Sequence, residues 1–133
     1  MPCIFCKIIN GEIPSYKVYE DENTLAFLDI NPVNPGHTLV VPKKHFSNIE
    51  EADEQTLCQV IKIVKKVGAG LKNNLAAPGY NAQVNNDPSA GQIVPHLHFH
   101  VIPRLENDCL SLWPQKKYKK NQAEEVLNKI KIK

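Results

Sequence analysis

"PHLHFHVIPR", residues 95–104, is the stretch on which this chain turns. Three of the five histidines in the 133-residue sequence, His96, His98 and His100, occupy every second position and alternate with Leu97, Phe99 and Val101. A period of two predicts a strand over "HLHFHVI", with imidazoles on one face and apolar side chains on the other. Neighbours on one face of a strand lie roughly 6–7 Å apart. Such a row suits three chemistries. It can be a solvated polar face, it can supply ligands to a metal, or its central imidazole can act as a nucleophile or base beside donors aimed at an anion. The preceding "NDPSAGQ" (86–92) favours the anion, because a glycine-containing loop can present backbone N–H groups and the Gln92 amide.

Working outward, "YKVYE" (16–20) and "TLAFLDI" (24–30) read as two strands joined by the polar turn "DEN". "NPVNPGH" (31–37) is a loop, since two prolines and a glycine break any regular element. "HTLVVP" (37–42) is apolar nearly throughout, which predicts a strand buried on both faces. One long helix follows, with Asp53 as its N-cap and Leu57, Val60, Ile61, Val64, Val67 and Leu71 at helical spacing to about Asn74. "YNAQVN" (80–85) reads as a fourth strand and the histidine stretch as a fifth. "CIFCKIINGEIPS" (3–15) reads as a short helix or loop ended by Gly11 and Pro14. Strands gathered around one long helix predict an α+β fold with a largely antiparallel sheet.

The totals set bounds. The length suits one domain with its own core, and 42% apolar residues with a net charge of +2 exclude a disordered chain. No run of about 18 apolar residues suggests a membrane span, and "MPCIFCKIING" does not resemble an export signal. Four cysteines then read as reduced thiols or metal ligands in a cytoplasmic protein. Residues 116–133 hold seven lysines and two glutamates, a net +5, which leaves −3 for the remainder. A basic tail can mark nucleic acid or anionic lipid. The plainer expectation is a solvated C-terminal helix kept soluble by its lysines, whose Ala123, Val126, Leu127 and Ile130 at helical spacing suit docking on the body, with no specific nucleic acid as partner.

"HLHFHVI", together with "CIFCKIINGEIPSYKVYEDENTLAFLDINPVNPGHTLVVPKKH", resembles the histidine triad (HIT) family, in particular its nucleotide-binding, nucleoside phosphoramidase branch. The resemblance runs over about residues 3–104 and does not cover the tail, which divides the chain into a HIT domain, 1–115, and a helical extension, 116–133. It implies a five-stranded antiparallel sheet with one long helix and a short N-terminal helix, dimerising into a continuous sheet. It also implies hydrolysis or transfer at the α-phosphate of a purine nucleotide such as AMP or GMP, with no metal needed for the chemistry. His98 would attack phosphorus and His100 would donate to a phosphate oxygen. Asn85, Gln92 and His37 would complete the catalytic set. Asp29 would accept the ribose hydroxyls, Phe5, Ile8, Phe27 and Ile30 would hold the base, and Gly91 would border the phosphate.

Cys3 and Cys6 form a C-x-x-C, the spacing at which two thiolates bind one Zn²⁺, although two buried thiols or a redox pair share it. In zinc-bearing members of the family a histidine after the third strand and the first histidine of the triad complete the tetrahedron. Here those are His45 and His96, which implies a structural zinc. One position departs from the phosphoramidase branch, which usually carries a serine after the "GQ" pair to assist the leaving group. This chain has Ile93, which cannot donate a proton. "AGQ" with "HVIPR" also resembles dinucleoside polyphosphate hydrolases, so two substrate classes stay open. A non-catalytic nucleotide-binding protein and an Mn²⁺ or Fe²⁺ enzyme with triad ligands are the competing expectations.

Overall fold

The structure is a computed structural model that describes residues 3–133. Met1 and Pro2, which begin the stretch read as unlike an export signal and the domain placed at 1–115, lie outside the described residues. The elements are α1 (Ile4–Ile9), β1 (Lys17–Glu20), β2 (Thr24–Leu28), β3 (Thr38–Pro42), α2 (Glu54–Asn74), β4 (Gly79–Val84), a 3₁₀ turn (Pro88–Ala90), β5 (Phe99–Arg104) and α3 (Gln122–Ile130). The five strands form one sheet in the order β1-β2-β3-β5-β4, antiparallel throughout. This is the expected α+β architecture. No helix of the described residues is long and apolar enough to cross a membrane.

Local chemistry explains the elements. Asp21 Oδ1 accepts the N–H groups of Asn23 and Thr24, both at 2.8 Å, so the side chain closes the β1–β2 turn. Asp53 holds an extended conformation ahead of α2, as an N-cap should. β3 is buried along its whole length. Pleating then sorts the sheet into two faces. Ala26, Val40 and Val101 pack against Val60, Ile63, Val64, Val67 and Leu71 of α2. Leu25, Phe27, Leu39 and Val41 point the other way, to Phe5 and Ile8 of α1. In α2 the buried face takes Ile63, whereas Ile61, placed inside by its spacing, is half exposed.

Two expectations need correction. β5 starts at Phe99, not at His96. β4 has run out opposite Phe99, and β3 last pairs there through Val40. The Leu97 N–H leaves the ladder and donates to the Phe46 carbonyl at 2.7 Å. Only His100 therefore belongs to the strand, while His96 closes a bend, its N–H donating to the Val94 carbonyl at 2.8 Å, and His98 sits in the irregular entry to β5. The second correction is the tail. α3 forms where the apolar spacing places it, but it does not dock: it contains no buried residue, and Leu127 and Ile130 are more than half exposed. Helical spacing records an apolar stripe and not what covers it.

Candidate functional site

The register Phe27–Leu39–His100 runs straight across β2, β3 and β5, so His100 emerges on the α1 face of the sheet. There α1 and the loops after β2 and β4 enclose a cavity of about 470 Å³, within the range of small-ligand sites. His98 and His100 line it, with Phe5, Ile8, Phe27, Asp29, Ile30, Asn85 and Gly91. Nine residues from separate parts of the sequence reading thus share one space. The His98 and His100 ring centroids are 4.9 Å apart. Phe5 meets His98 edge-on at 5.1 Å between centroids, and meets Phe27 at 5.6 Å. Ile30 and Ile93 line the same cavity yet are 80% and 91% exposed, so each closes the mouth and not the floor.

Fixed partners assign the protons. The Nδ1 of His98 lies 2.7 Å from the His96 carbonyl oxygen. A carbonyl only accepts, so Nδ1 carries the hydrogen and Nε2 keeps a free lone pair. His37 is opposite in sense. The Val33 N–H donates to its Nδ1 at 3.1 Å, which leaves the hydrogen on Nε2. That Nε2–H points at His100 Nδ1, 2.9 Å away, so His100 carries its own hydrogen on Nε2. The cavity is therefore lined by one imidazole that can attack and one that can donate.

Burial keeps these rings neutral. Desolvation lowers the His98 pKa below its ordinary value, against the raising effects of the His96 carbonyl and Asp29. Desolvation also lowers His37. His100 falls to about 4, through desolvation first and then the neighbouring His98 and His37. Near neutral pH the His98 ring is unprotonated, which is the state that any nucleophilic attack by an imidazole requires.

Two expected residues do not reach the cavity. Gln92 is buried with its amide fully engaged: Nε2 donates to the carbonyls of Ser47 (2.6 Å) and Val94 (3.0 Å), and Oε1 accepts from the Asp87 N–H (2.8 Å). It braces the loop from within. The N–H groups of Ala90, Gly91 and Gln92 are likewise spent on the carbonyls of Asp87 and Pro88. Gly91 contributes its positive φ of 93° to the cavity border, where the loop was expected to offer amides. His37 stands behind His100, its Nε2 2.9 Å from the Nδ1 of that ring and 3.7 Å from Asp29 Oδ2. The cavity also includes Leu39, Ser15 and Asn31, which the sequence reading missed. Leu39 was recoverable from the β3–β5 register, whereas the two loop residues carried no pattern.

A second cluster lies on the outer side of α1. Cys3, Cys6, His45 and His96 bring one donor atom each within 4.8 Å of one another. The Sγ–Nδ1 separations are 3.4 Å (Cys3–His96), 3.5 Å (Cys6–His45) and 3.6 Å (Cys6–His96). With Zn–S near 2.3 Å and Zn–N near 2.05 Å, a tetrahedral edge between S and N measures about 3.6 Å. The His96 Nε2 faces the Pro42 carbonyl at 2.8 Å and so holds the hydrogen, leaving Nδ1 bare toward the sulfurs. The Cys6 N–H reaches Cys3 Sγ at 3.5 Å, as occurs around metal-bound thiolates. The donor set fits a zinc ion. The other compact group, Asp29, His37 and His100, fits one poorly, because the Val33 amide keeps the hydrogen on His37 Nε2.

Known proteins share this sequence and fold. The chain is 61% identical over 106 residues to an uncharacterised HIT-like protein of Methanocaldococcus jannaschii, covering 80% of this chain and 81% of that one. It is 43% identical over 108 residues to the adenosine 5'-monophosphoramidase of Candida albicans, covering 78% and 71%. A HIT family protein of Bacillus subtilis superposes with a TM-score of 0.88 at 41% identity, over 98% of this chain and 95% of that chain. A zinc-bound histidine triad family protein of Mycobacterium smegmatis gives 0.79 at 35% identity, over 97% and 92%. The model of the HIT domain matches residues 10–107, the span that holds the triad, His45 and the cavity lining named above except Phe5 and Ile8. By sequence, fold and the placement of its histidines, this chain belongs to the HIT domain family.

Proposed function

We propose that this protein hydrolyses or transfers purine nucleotides at the α-phosphate, through a nucleotidyl intermediate on His98. The observation that carries this reading is the pair of opposite tautomers facing one cavity. His98 Nε2 offers a lone pair, and His100 Nε2–H offers a donor 4.9 Å away, ring to ring. In the first step His98 Nε2 forms a bond to phosphorus as the bond to the leaving group breaks. Water then attacks the same phosphorus, His98 departs with its lone pair, and a nucleoside monophosphate is released. His100 donates to a non-bridging oxygen as charge builds there. Asn85 orients the phosphate, and Asp29 accepts the ribose hydroxyls. The base lies among Phe5, Ile8 and Phe27, with Ile30 across the mouth.

Zinc held by Cys3, Cys6, His45 and His96 supplies a structural cross-link. Its ligands tie the N-terminus to the entry of β5, outside the route of the phosphate. We assign residues 1–115 to the catalytic domain and 116–133 to an extension, and read the active form as a cytoplasmic homodimer. Two relatives named as an adenylylsulfatase and an adenosine 5'-monophosphoramidase support hydrolysis as the activity. One observation favours a second reading, a nucleotide-binding protein without turnover: Ile93 stands at the mouth with no proton to give a leaving group.

Single-turnover incubation with adenosine 5'-phosphoramidate, and separately with a diadenosine polyphosphate, in excess EDTA distinguishes them. AMP release that is absent in His98→Ala supports the enzyme and selects its substrate class. AMP bound tightly, with no release from either substrate, supports the second reading.

A further inference from the structure

The donor at His100 depends on Val33, and Val33 lies in the loop 31–37 between β2 and β3. Something must hold that loop. Inside it the His37 N–H donates to the Asn34 carbonyl at 3.0 Å, and the Asp29 N–H donates to the His37 carbonyl at 2.9 Å. Gly36, at φ 103°, lets the turn pass so close to α2 that a Cβ there would stand 2.7 Å from Leu75. The Asn31 N–H donates to Asp29 Oδ1 at 2.9 Å and the Thr38 hydroxyl to the Gly36 carbonyl at 2.8 Å, both local to the loop. The side chain that ties the loop to the β5 end of the sheet is Asn34. Its Nδ2 donates to the Pro103 carbonyl (2.9 Å) and to Asp108 Oδ2 (3.2 Å).

Asp108 is itself fixed by Arg104, whose Nε and Nη2 grip both carboxylate oxygens at 2.8 and 3.1 Å. The N–H groups of Leu105 and Leu110 add two more hydrogen bonds, and Arg104 Nη1 reaches Asn81 Oδ1 on β4 at 2.9 Å. A bidentate arginine–carboxylate pair fixes orientation as well as distance. The Asp108 carboxylate is only 5% exposed.

We infer that Asn34, Arg104 and Asp108 are positioning residues for His100: they hold the 31–37 loop so that the Val33 amide sets the His37 tautomer and, through it, the hydrogen on His100 Nε2. The inference builds on the proposed role of His100 but concerns an arrangement outside the cavity. Without the latch the loop relaxes, the Val33 N–H leaves His37 Nδ1, and both rings can carry their hydrogen on either nitrogen.

The test is long-range ¹H–¹⁵N correlation of the histidine rings in the full chain, wild type against Asn34→Ala and Asp108→Asn, with AMP release from adenosine 5'-phosphoramidate measured in parallel. Wild-type His100 should show one tautomer, protonated at Nε2. Either folded variant should show a mixture, with kcat reduced about tenfold and KM changed by less than about twofold, one hydrogen bond's worth of orientation. Lys17→Ala, which breaks a surface ion pair on β1, should leave both readouts unchanged. An unaltered His100 tautomer in a folded variant overturns the inference, as does a mixed tautomer with undiminished turnover. If the wild type releases AMP from neither this substrate nor a diadenosine polyphosphate, the proposed function falls and the tautomer alone decides. Asp108→Asn keeps the shape of the side chain, so it serves should Asn34→Ala fail to fold.

Discussion

His98 donates its Nδ1 hydrogen to the carbonyl oxygen of His96, 2.7 Å away. The same His96 holds its ring between Cys3 and Cys6 on the far side of α1. One residue therefore serves two sites, with its backbone orienting the nucleophile and its ring belonging to the metal cluster. Removing the His98 ring removes the only free imidazole lone pair of the triad that faces the cavity. His98→Ala should lose at least about a thousandfold in AMP release. Denatured-protein mass spectrometry should find no nucleotidyl adduct on it, whereas His100→Ala should still form one, slowly.

Metal loss should act on stability before chemistry. Cys6→Ser should lower the zinc content from about one per chain and reduce Tm, because structural zinc contributes directly to folding. A freshly chelated wild type that has not unfolded should retain its turnover. Elemental analysis with a thermal melt checks the first statement. Immediate loss of rate on adding EDTA would contradict the second.

The pH dependence follows from neutral, buried rings. His98 must be unprotonated to attack, and its pKa lies below 6.5. kcat/KM should therefore hold level from about pH 8 to 6.5 and decline only at more acid pH. Stability moves in the same direction. The unfolded chain takes up protons on His37 and His100 below about 6.5, while the folded chain resists until lower pH, about 4 for His100. Stability is thus greatest above 6.5 and falls as pH drops toward 4. Tm measured across that window checks it.

Gly68 on α2 faces Tyr80 of β4, and a Cβ there would come within 2.6 Å of the phenol oxygen. Gly68→Ala gains helix propensity but must displace a ring from the helix–sheet seam. A net loss of about 1–3 kcal/mol is expected from overpacking, read by urea denaturation. A stabilised variant would mean that the ring swings away without cost.

Gln92→Ala should strand the Asp87 N–H and the Ser47 and Val94 carbonyls inside the protein. A cost of about 1–3 kcal/mol in stability is expected, with nucleotide affinity nearly unchanged in the fraction that remains folded. Isothermal titration with AMP separates this brace from a phosphate contact, which would weaken binding instead.

Much of the fold could be read in advance because periodicity and punctuation agree with tertiary packing. "TLVVP" had to be buried, "DEN" had to turn, and Asp53 stood where a helix of 21 residues begins. The cysteine pair was visible at a ligand spacing, and His45 through the family resemblance. Elsewhere the sequence pattern and the structure part for physical reasons. His96 and His98 alternate as strand residues do, but a strand also needs partners, and β3 and β4 have none to give them. Gln92 resembled a phosphate ligand because an amide next to histidines suggests one. Its shortest hydrogen bond depends on where Ser47 comes to lie, which no local pattern records. The Val33 amide left no trace at all, since every residue but proline has one.

α3 ends the chain with nine residues and not one buried side chain. Isolated helices shorter than about 12–15 residues are marginal in water, because the cost of nucleating the first turn is recovered over too few hydrogen bonds. Helix order at 122–130 should then be marginal in a lone chain, where Val126 alone of the segment is partly buried. The amides of that segment form a gauge: in a lone chain they exchange with solvent nearly as fast as in a free peptide, and protection there measures how much of the Leu127 and Ile130 stripe is covered.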